Sequence, residues 1–234
     1  NSPYSIKAAD LFAGSSPYPD PGHGSMSYRI FGSENSPYSI KVRSYFRFKG
    51  IPHEWIVRNG STSAEYQKYA KLPIVPTVAT PEGQGMQDST PIIEAMEVKS
   101  PEPSIHPDGV ALRFLSELLE EFGDEWGNKW MFHFRWARDI DQCTVARRLA
   151  EEMTSGGPQA EQMAEMIRQR MTGRGFAVGS NETTAPVIEQ NFEEFIATLE
   201  AHLRQRPYLF GARPSLADFG IAPQIFQSMI DPTA

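Results

Sequence analysis

The chain has 234 residues, 40% hydrophobic and 22% charged, a balance typical of a globular protein with one large or two ordinary domains. Its formal net charge of −7 argues against binding to nucleic acid or to an anionic membrane, and no apolar stretch is long enough to span a bilayer. Its single cysteine, Cys143, excludes an intramolecular disulfide and fits a reducing compartment, so we expect a cytoplasmic protein.

Residues 1–25 have the composition of an appended tail. Residues 13–25 are dense in Gly, Ser and Pro, show no periodicity and lack the apolar core of a secretory signal. Residues 1–7 repeat residues 35–41 letter for letter, but no strand precedes them, so we assign them no chemistry. We therefore expect the fold to begin at Met26.

The most informative stretch is residues 35–39, Asn-Ser-Pro-Tyr-Ser, which joins a short strand at residues 28–31 to a helix at residues 39–49. The first backbone N–H groups of a helix have no internal partner, and the helix dipole places partial positive charge there. Ser36 adds a hydroxyl donor, and Pro37 suits the first helical turn. The pattern predicts an anion site for a thiolate, a carboxylate or a phosphate.

Short elements of mixed type follow, separated by Gly, Pro and Ser. They are a strand at 53–57, a short helix capped by Ser61 and running through Tyr69, strands at 74–79 and 86–87, and a helix capped by Ser89 and running to about Val98. The predicted order over residues 28–98 is βαβαββα. Residues 100–103, Ser-Pro-Glu-Pro, are the best candidate linker.

From Ala111 onward the hydrophobic period is helical, with apolar residues at spacings of three or four. Three apolar stripes are each expected to lie on one helix face. The first stripe is Leu115, Leu118, Leu119, Phe122, Trp126, Trp130 and Phe134, and the second is Met163, Met166, Ile167 and Met171. The third is Val187, Ile188, Phe192, Phe195, Ile196, Leu199 and Leu203. Ser215 and Asp218 have capping-box spacing at the start of a helix that runs to about Ile230. The second domain is therefore predicted to be all-helical.

These motifs together resemble the glutathione S-transferase family. Residues 36–39, Ser-Pro-Tyr-Ser, lie where a glutaredoxin would carry Cys-Pro-Tyr-Cys, and Val75-Pro76 resembles the cis-proline of the family. Residues 87–90 resemble its acidic-Ser turn, and residues 207–219 resemble its C-terminal capping-box segment. The resemblance runs from Met26 to the end of the chain. It implies an α/β thioredoxin-like, glutathione-binding domain at 26–99 and an all-α C-terminal domain at 109–234.

The resemblance further implies glutathione as the cofactor, with the Ser36 hydroxyl donating to its thiolate and the first amides of the helix assisting. A thiol of pKa ~8.5 is about 3% ionised at pH 7, and lowering its pKa to ~6.5 requires ~2.7 kcal/mol. One hydrogen bond to a charged group contributes roughly 1.5–3 kcal/mol, and a helix N-terminus about 0.3–1. Ser36 and its helix are therefore sufficient, and Asn35 and Tyr38 are the next candidates to contact the cofactor.

The peptide arms of glutathione have their own predicted partners. A cis bond at Val75-Pro76 would offer the backbone of Val75 to the cysteinyl unit. Ser89 and Asp88 would bind the carboxylate and the ammonium of the γ-glutamyl end. Because Ile74 stands where the family often carries a cation, Lys71 is the candidate for the glycine carboxylate. The five histidines are scattered, so we predict no metal site.

Three functions remain open on these residues. The leading hypothesis is a glutathione transferase that conjugates the thiolate to an apolar small-molecule electrophile. The alternatives are a glutathione-dependent peroxidase or disulfide reductase, and a binding protein that keeps only the fold. The family's catalytic Tyr near the end of the first strand has no match, since Ile30 and Phe31 lie there, and the chain ends soon after the capping-box helix. The resemblance also implies a homodimer.

Overall fold

The computed structural model describes residues 27–233, and these fall into two units, one up to Ser104 and one from Ile105. The expected tail at residues 1–25 and the repeat within it lie outside the described residues. The domain boundaries inferred from the sequence, 26–99 and 109–234, stay a prediction.

The N-terminal unit is a four-stranded mixed sheet with helices. Its elements are β1 (Tyr28–Gly32), α1 (Pro37–Phe48), β2 (His53–Val57), α2 (Ser63–Tyr66), β3 (Thr77–Ala79), β4 (Gly85–Gln87) and α3 (Ser89–Lys99). The strand order is β2-β1-β3-β4, with β1 parallel to β2 and antiparallel to β3, and β3 antiparallel to β4. The predicted thioredoxin-like order βαβαββα is confirmed.

Three local predictions in this unit are wrong. The strand expected at 74–79 is only β3, since the carbonyls of Leu72 and Ile74 accept from the Tyr66 hydroxyl at 2.8 and 2.7 Å. The start of α2 is organised by Asn59, whose Oδ1 accepts from the amide and hydroxyl of Ser61, so Ser61 is not a cap. Ser89 is the first residue of α3, and the N-cap is Asp88.

The C-terminal unit is all-helical, as predicted. It contains α4 (Val110–Phe122), a π-helical turn (Gly123–Gly127), α5 (Asn128–Trp136), α6 (Asp139–Thr154), α7 (Gln159–Thr172), a 3-10 turn (Gly175–Val178), α8 (Ala185–Leu203) and α9 (Leu216–Ser228). None of the helices within residues 27–233 has the length and apolar character that crossing a membrane requires.

The apolar stripes are only partly buried. Trp130 and Phe134 lie in the main core with Ile188, Phe192 and Leu199 of α8, which confirms those parts of the first and third stripes. Other members are exposed, against expectation: Leu115, Leu118, Trp126, Val187 and, in the second stripe, Met166. Successive helix positions differ by about 100° in direction, so one turn can hold both core and surface residues.

The predicted capping box is confirmed. The amide and hydroxyl of Ser215 donate to Oδ2 of Asp218 at 2.8 and 2.7 Å, and the Leu209 amide donates to Oδ1 at 3.0 Å. Burial raises the pKa of Asp218, and these hydrogen bonds act in the opposite direction. The carboxylate therefore ties the start of α9 to the preceding loop.

Candidate functional site

Strand register brings three predicted site segments to one edge of the N-terminal sheet. Phe31 of β1 is paired with Thr77 of β3, and Thr77 is paired with Gln87 of β4. The loop that follows β1, the loop that precedes β3 and the turn that follows β4 therefore all leave the sheet at this edge. Neighbouring strands lie about 4.8 Å apart, so the three segments span a width of about 10 Å, which suits an extended tripeptide.

Ser36 is the N-cap of α1, with extended backbone. Its Oγ accepts from the Ser39 amide at 3.2 Å, and its carbonyl accepts from the Ile40 amide at 3.0 Å. The hydroxyl donates to no residue within 27–233, and the residue is half-buried. The cap bond thus uses a lone pair of the oxygen and leaves its proton for an acceptor outside the chain.

The first amides of α1 contribute less than the sequence suggested. Pro37 has no N–H, and the Ser39 amide is already bound by Ser36. Tyr38 is half-buried and Asn35 is buried, the latter donating its amide to the Ser33 hydroxyl at 3.1 Å. The Ser36 hydroxyl remains a donor at this helix start, and the helix dipole adds partial positive charge.

Val75 presents unpaired backbone at the same edge. The Val75-Pro76 peptide bond is cis, as predicted. Neither the N–H nor the C=O of Val75 is hydrogen-bonded to any residue that the structure describes. Its side chain packs against the cluster of Phe31, Tyr66 and Ala79. An anchored residue with a free N–H and C=O is what an added peptide strand pairs with.

Gln87 supports this loop, a role that sequence reasoning missed. Its Oε1 accepts from the amides of Lys71 and Leu72 at 2.7 and 3.0 Å, and its Nε2 donates to the Leu72 carbonyl at 2.8 Å and the Thr77 hydroxyl at 3.0 Å. Together with a longer bond from Nε2 to the Ile74 carbonyl at 3.5 Å, these bonds hold residues 71–77 against β4. The only sequence signal was its place in the acidic-Ser turn.

The turn after β4 combines an unusual backbone with free polar groups. Asp88 has φ +73°, which is uncommon for a residue with a side chain, and its exposed carboxylate makes no cap hydrogen bond. Ser89 is only 2% exposed, yet its hydroxyl has no hydrogen-bond partner within residues 27–233. A hydroxyl and a carboxylate thus stand together at the start of α3 without a structural role in the helix cap.

Lys71 and its neighbours border this site. The Lys71 amide is held by Gln87, and its exposed ammonium has no partner in the part of the chain that the structure describes. Leu72 and Ile74 leave 58% and 42% of their surface exposed. The loop before Val75 therefore offers one cation and an apolar surface.

Two further reactive side chains, Cys143 and His133, lie in the C-terminal unit and were not predicted as site residues. Cys143 is exposed, and it borders a cavity of about 830 Å³ between α6 and α7 that none of the predicted site residues lines. His133 is held between the Ser180 hydroxyl and the Glu189 carboxylate, each at 2.9 Å. Among residues 27–233 no three His, Cys, Asp or Glu side chains group as metal ligands would, and the absence of a metal stays a prediction.

Both units match models of the same protein family. Residues 35–99 match the family model described as glutathione S-transferase, N-terminal domain, and residues 158–231 match that of the C-terminal domain. Together the two matches cover more than half of the chain. No curated protein sequence matches it significantly.

Solved structures show the same fold at low sequence identity. A glutathione S-transferase from Rhodospirillum rubrum is 20% identical with a TM-score of 0.53, over 88% of this chain and 80% of that one. A beta-etherase from Sphingobium is 19% identical with a TM-score of 0.51, over 82% and 80%. A Tau class glutathione S-transferase from mango, Mangifera indica, is 14% identical with a TM-score of 0.50, over 89% and 91%.

Proposed function

Since the chain belongs to the glutathione S-transferase family, we propose that it is an enzyme that binds glutathione and transfers its thiolate to an apolar electrophile. The observation that carries this proposal is the meeting, at one sheet edge, of the Ser36 hydroxyl, the unpaired backbone of Val75 and the unpartnered hydroxyl of Ser89. Each offers the group that one part of a cysteinyl tripeptide requires.

The proposed roles follow from the chemistry of each group. Ser36 donates a hydrogen bond to the thiolate, and the dipole of α1 adds partial positive charge. Val75 pairs with the cysteinyl backbone. Ser89 and the start of α3 bind the γ-glutamyl carboxylate, Asp88 binds its ammonium, and Lys71 takes the glycine carboxylate.

The two alternative functions use the same site differently. A peroxidase or disulfide reductase would direct the glutathione thiolate at an oxygen or sulfur electrophile, because neither residue 36 nor residue 39 is a cysteine that could form its own mixed disulfide. A protein that keeps only the fold would lack turnover. Activity with a generic aromatic electrophile and with a small disulfide separates these functions once glutathione binding has been measured.

We expect immobilised glutathione to retain the parent protein, and the Ser89→Ala variant to bind free glutathione about tenfold more weakly. The loss corresponds to one hydrogen bond to a charged carboxylate, roughly 1.5 kcal/mol. Isothermal titration calorimetry gives the dissociation constants. Ser61→Ala is the matched control, because Ser61 is exposed and its hydroxyl contacts Asn59 alone. No retention of the parent would remove both enzymatic functions.

We also expect a homodimer, as in the family. Supporting this, α4 exposes large apolar residues, among them Val110, Phe114 and Leu118, and Phe114 is 61% exposed. Light scattering at micromolar concentration should give twice the monomer mass for the parent and a monomer mass for Phe114→Glu. Met166→Glu, on exposed α7, is the control and should stay dimeric. A monomeric parent would contradict the prediction.

A further inference from the structure

We propose that Arg43 is a positioning residue for the thiolate site, holding the Glu34 carboxylate in a neutralised pair so that it does not oppose the charge stabilised at Ser36. The inference rests on the proposed function, since it concerns the same thiolate. Sequence reasoning singled out neither residue.

The pair is bidentate and one of its members is buried. Nη1 and Nη2 of Arg43 donate to Oε1 and Oε2 of Glu34 at 2.5 and 2.8 Å, in the fork geometry that makes such pairs directional. Arg43 is 6% exposed, and its guanidinium lies 4.2 Å from the centre of the Trp55 ring on β2. Stacking on Trp55 holds the guanidinium of Arg43 in place, so Arg43 restrains the position of the Glu34 carboxylate.

The same Trp55 ring packs against the end of β1. An added Cβ on Gly32 would lie 2.2 Å from the Trp55 ring, so ring and strand are in close contact. The loop of Ser33, Glu34 and Asn35 is tied further by the Ser36 amide, which donates to the Ser33 carbonyl at 3.2 Å. Arg43 therefore helps to hold residues 33–35 in one conformation, and this loop sets the position of the Ser36 hydroxyl.

The charge of Glu34 matters because of where it lies. It stands two residues before the N-cap of α1, where a carboxylate competes with a thiolate for the helix dipole. Left unpaired, it would raise the pKa of a nearby thiol. Pairing with Arg43 cancels most of that effect.

Two further basic residues lie close enough to Arg43 for its charge to lower their pKa. Arg47, one turn further along α1, has its pKa lowered by burial and by Arg43, while Glu34 opposes the change. His53 on β2 has its pKa lowered, chiefly by burial and further by Arg47 and Arg43, so it stays neutral near pH 7. Glu34 thus interacts with two arginines, Arg43 and Arg47.

The test compares two charge-neutralising changes that break the same pair with opposite effects on the local charge. Arg43→Gln should raise the pKa of bound glutathione by about one pH unit, whereas Glu34→Gln should leave it unchanged or lower it. The double variant should return it close to the parent value. The readout is the ultraviolet absorbance of the bound thiolate against pH, with thermal melting recorded for each variant.

The sign of the Glu34→Gln effect decides the outcome. A purely structural pair would make both single variants raise the thiol pKa together, and that result would overturn the inference. If Arg43→Gln does not fold, Glu34→Gln remains a test, because Glu34 is half exposed and the direction in which it shifts the thiol pKa still separates the two explanations. Arg43→Lys keeps the positive charge, so the thiol pKa of bound glutathione in this variant should stay near that of the parent. Failure of the parent to bind glutathione would instead contradict the proposed function.

Discussion

Replacing Ser36 with Ala should raise the pKa of bound glutathione by one to two pH units and reduce turnover near neutral pH about tenfold or more. The variant removes one charge-assisted hydrogen bond to the thiolate, roughly 1.5–3 kcal/mol, and with it the cap acceptor of the Ser39 amide, while Pro37 has no amide to offer instead. The loss should shrink at higher pH, because the thiol then ionises unaided. Initial rates with an aromatic electrophile between pH 6 and 9 measure both effects.

Glutathione affinity should change much less in this variant, since Val75 and Ser89 hold the peptide. Ser39→Ala is the matched control: Ser39 is fully buried, and its hydroxyl has no partner among the described residues. Removing an unsatisfied hydroxyl is nearly neutral for stability and leaves the Ser36 donor in place. If Ser36→Ala is as active as the parent at pH 6.5, the thiolate is stabilised by another group, with Tyr38 or Asn35 the next candidates.

Replacing Gly220 with Ala should lower the free energy of unfolding by about 3 kcal/mol, the upper part of the usual range for overpacking. A Cβ at this position would lie 2.9 Å from Cα and 3.0 Å from the carbonyl oxygen of Glu120, and one on Gly123 would lie 2.8 Å from the Gly220 carbonyl. Two of the contacts at Gly220 are with the backbone of α4, so α9 and the C-terminal end of α4 must move apart and open their shared core. Urea unfolding followed by circular dichroism measures the change.

Gly173→Ala is the matched control in the same unit. Its added Cβ would meet only the Gln169 carbonyl oxygen, at 4.0 Å, and its φ of −73° suits any L-residue. We expect this variant to be unchanged or slightly more stable, because alanine restricts the unfolded chain. Equal stability of the Gly220→Ala and Gly173→Ala variants would show that the two helices can separate at little cost.

Local signals were enough to predict the order of elements. Pro37 at a helix start, the capping box of Ser215 and Asp218, and the change from short mixed runs to helical spacing after the linker depend on neighbours within a few residues. Such signals survive without tertiary context because backbone capping and hydrophobic period act over one or two turns. The assignment of glutathione contacts to Ser36, Val75, Asp88 and Ser89 came from the resemblance and stays a prediction.

The sequence by itself therefore determined the fold class, the mixed sheet followed by helices, and the place of Ser36 at the start of α1. Tertiary structure alone decided that Gln87 holds the loop before Val75, that Arg43 pairs with Glu34 beneath Trp55, and that Leu118 is exposed while Leu119 packs on the core. These outcomes depend on strand register and helix crossing, which join residues far apart in the chain. A periodic pattern specifies which face of an element is apolar, but the neighbour that covers this face is selected only when the whole domain packs.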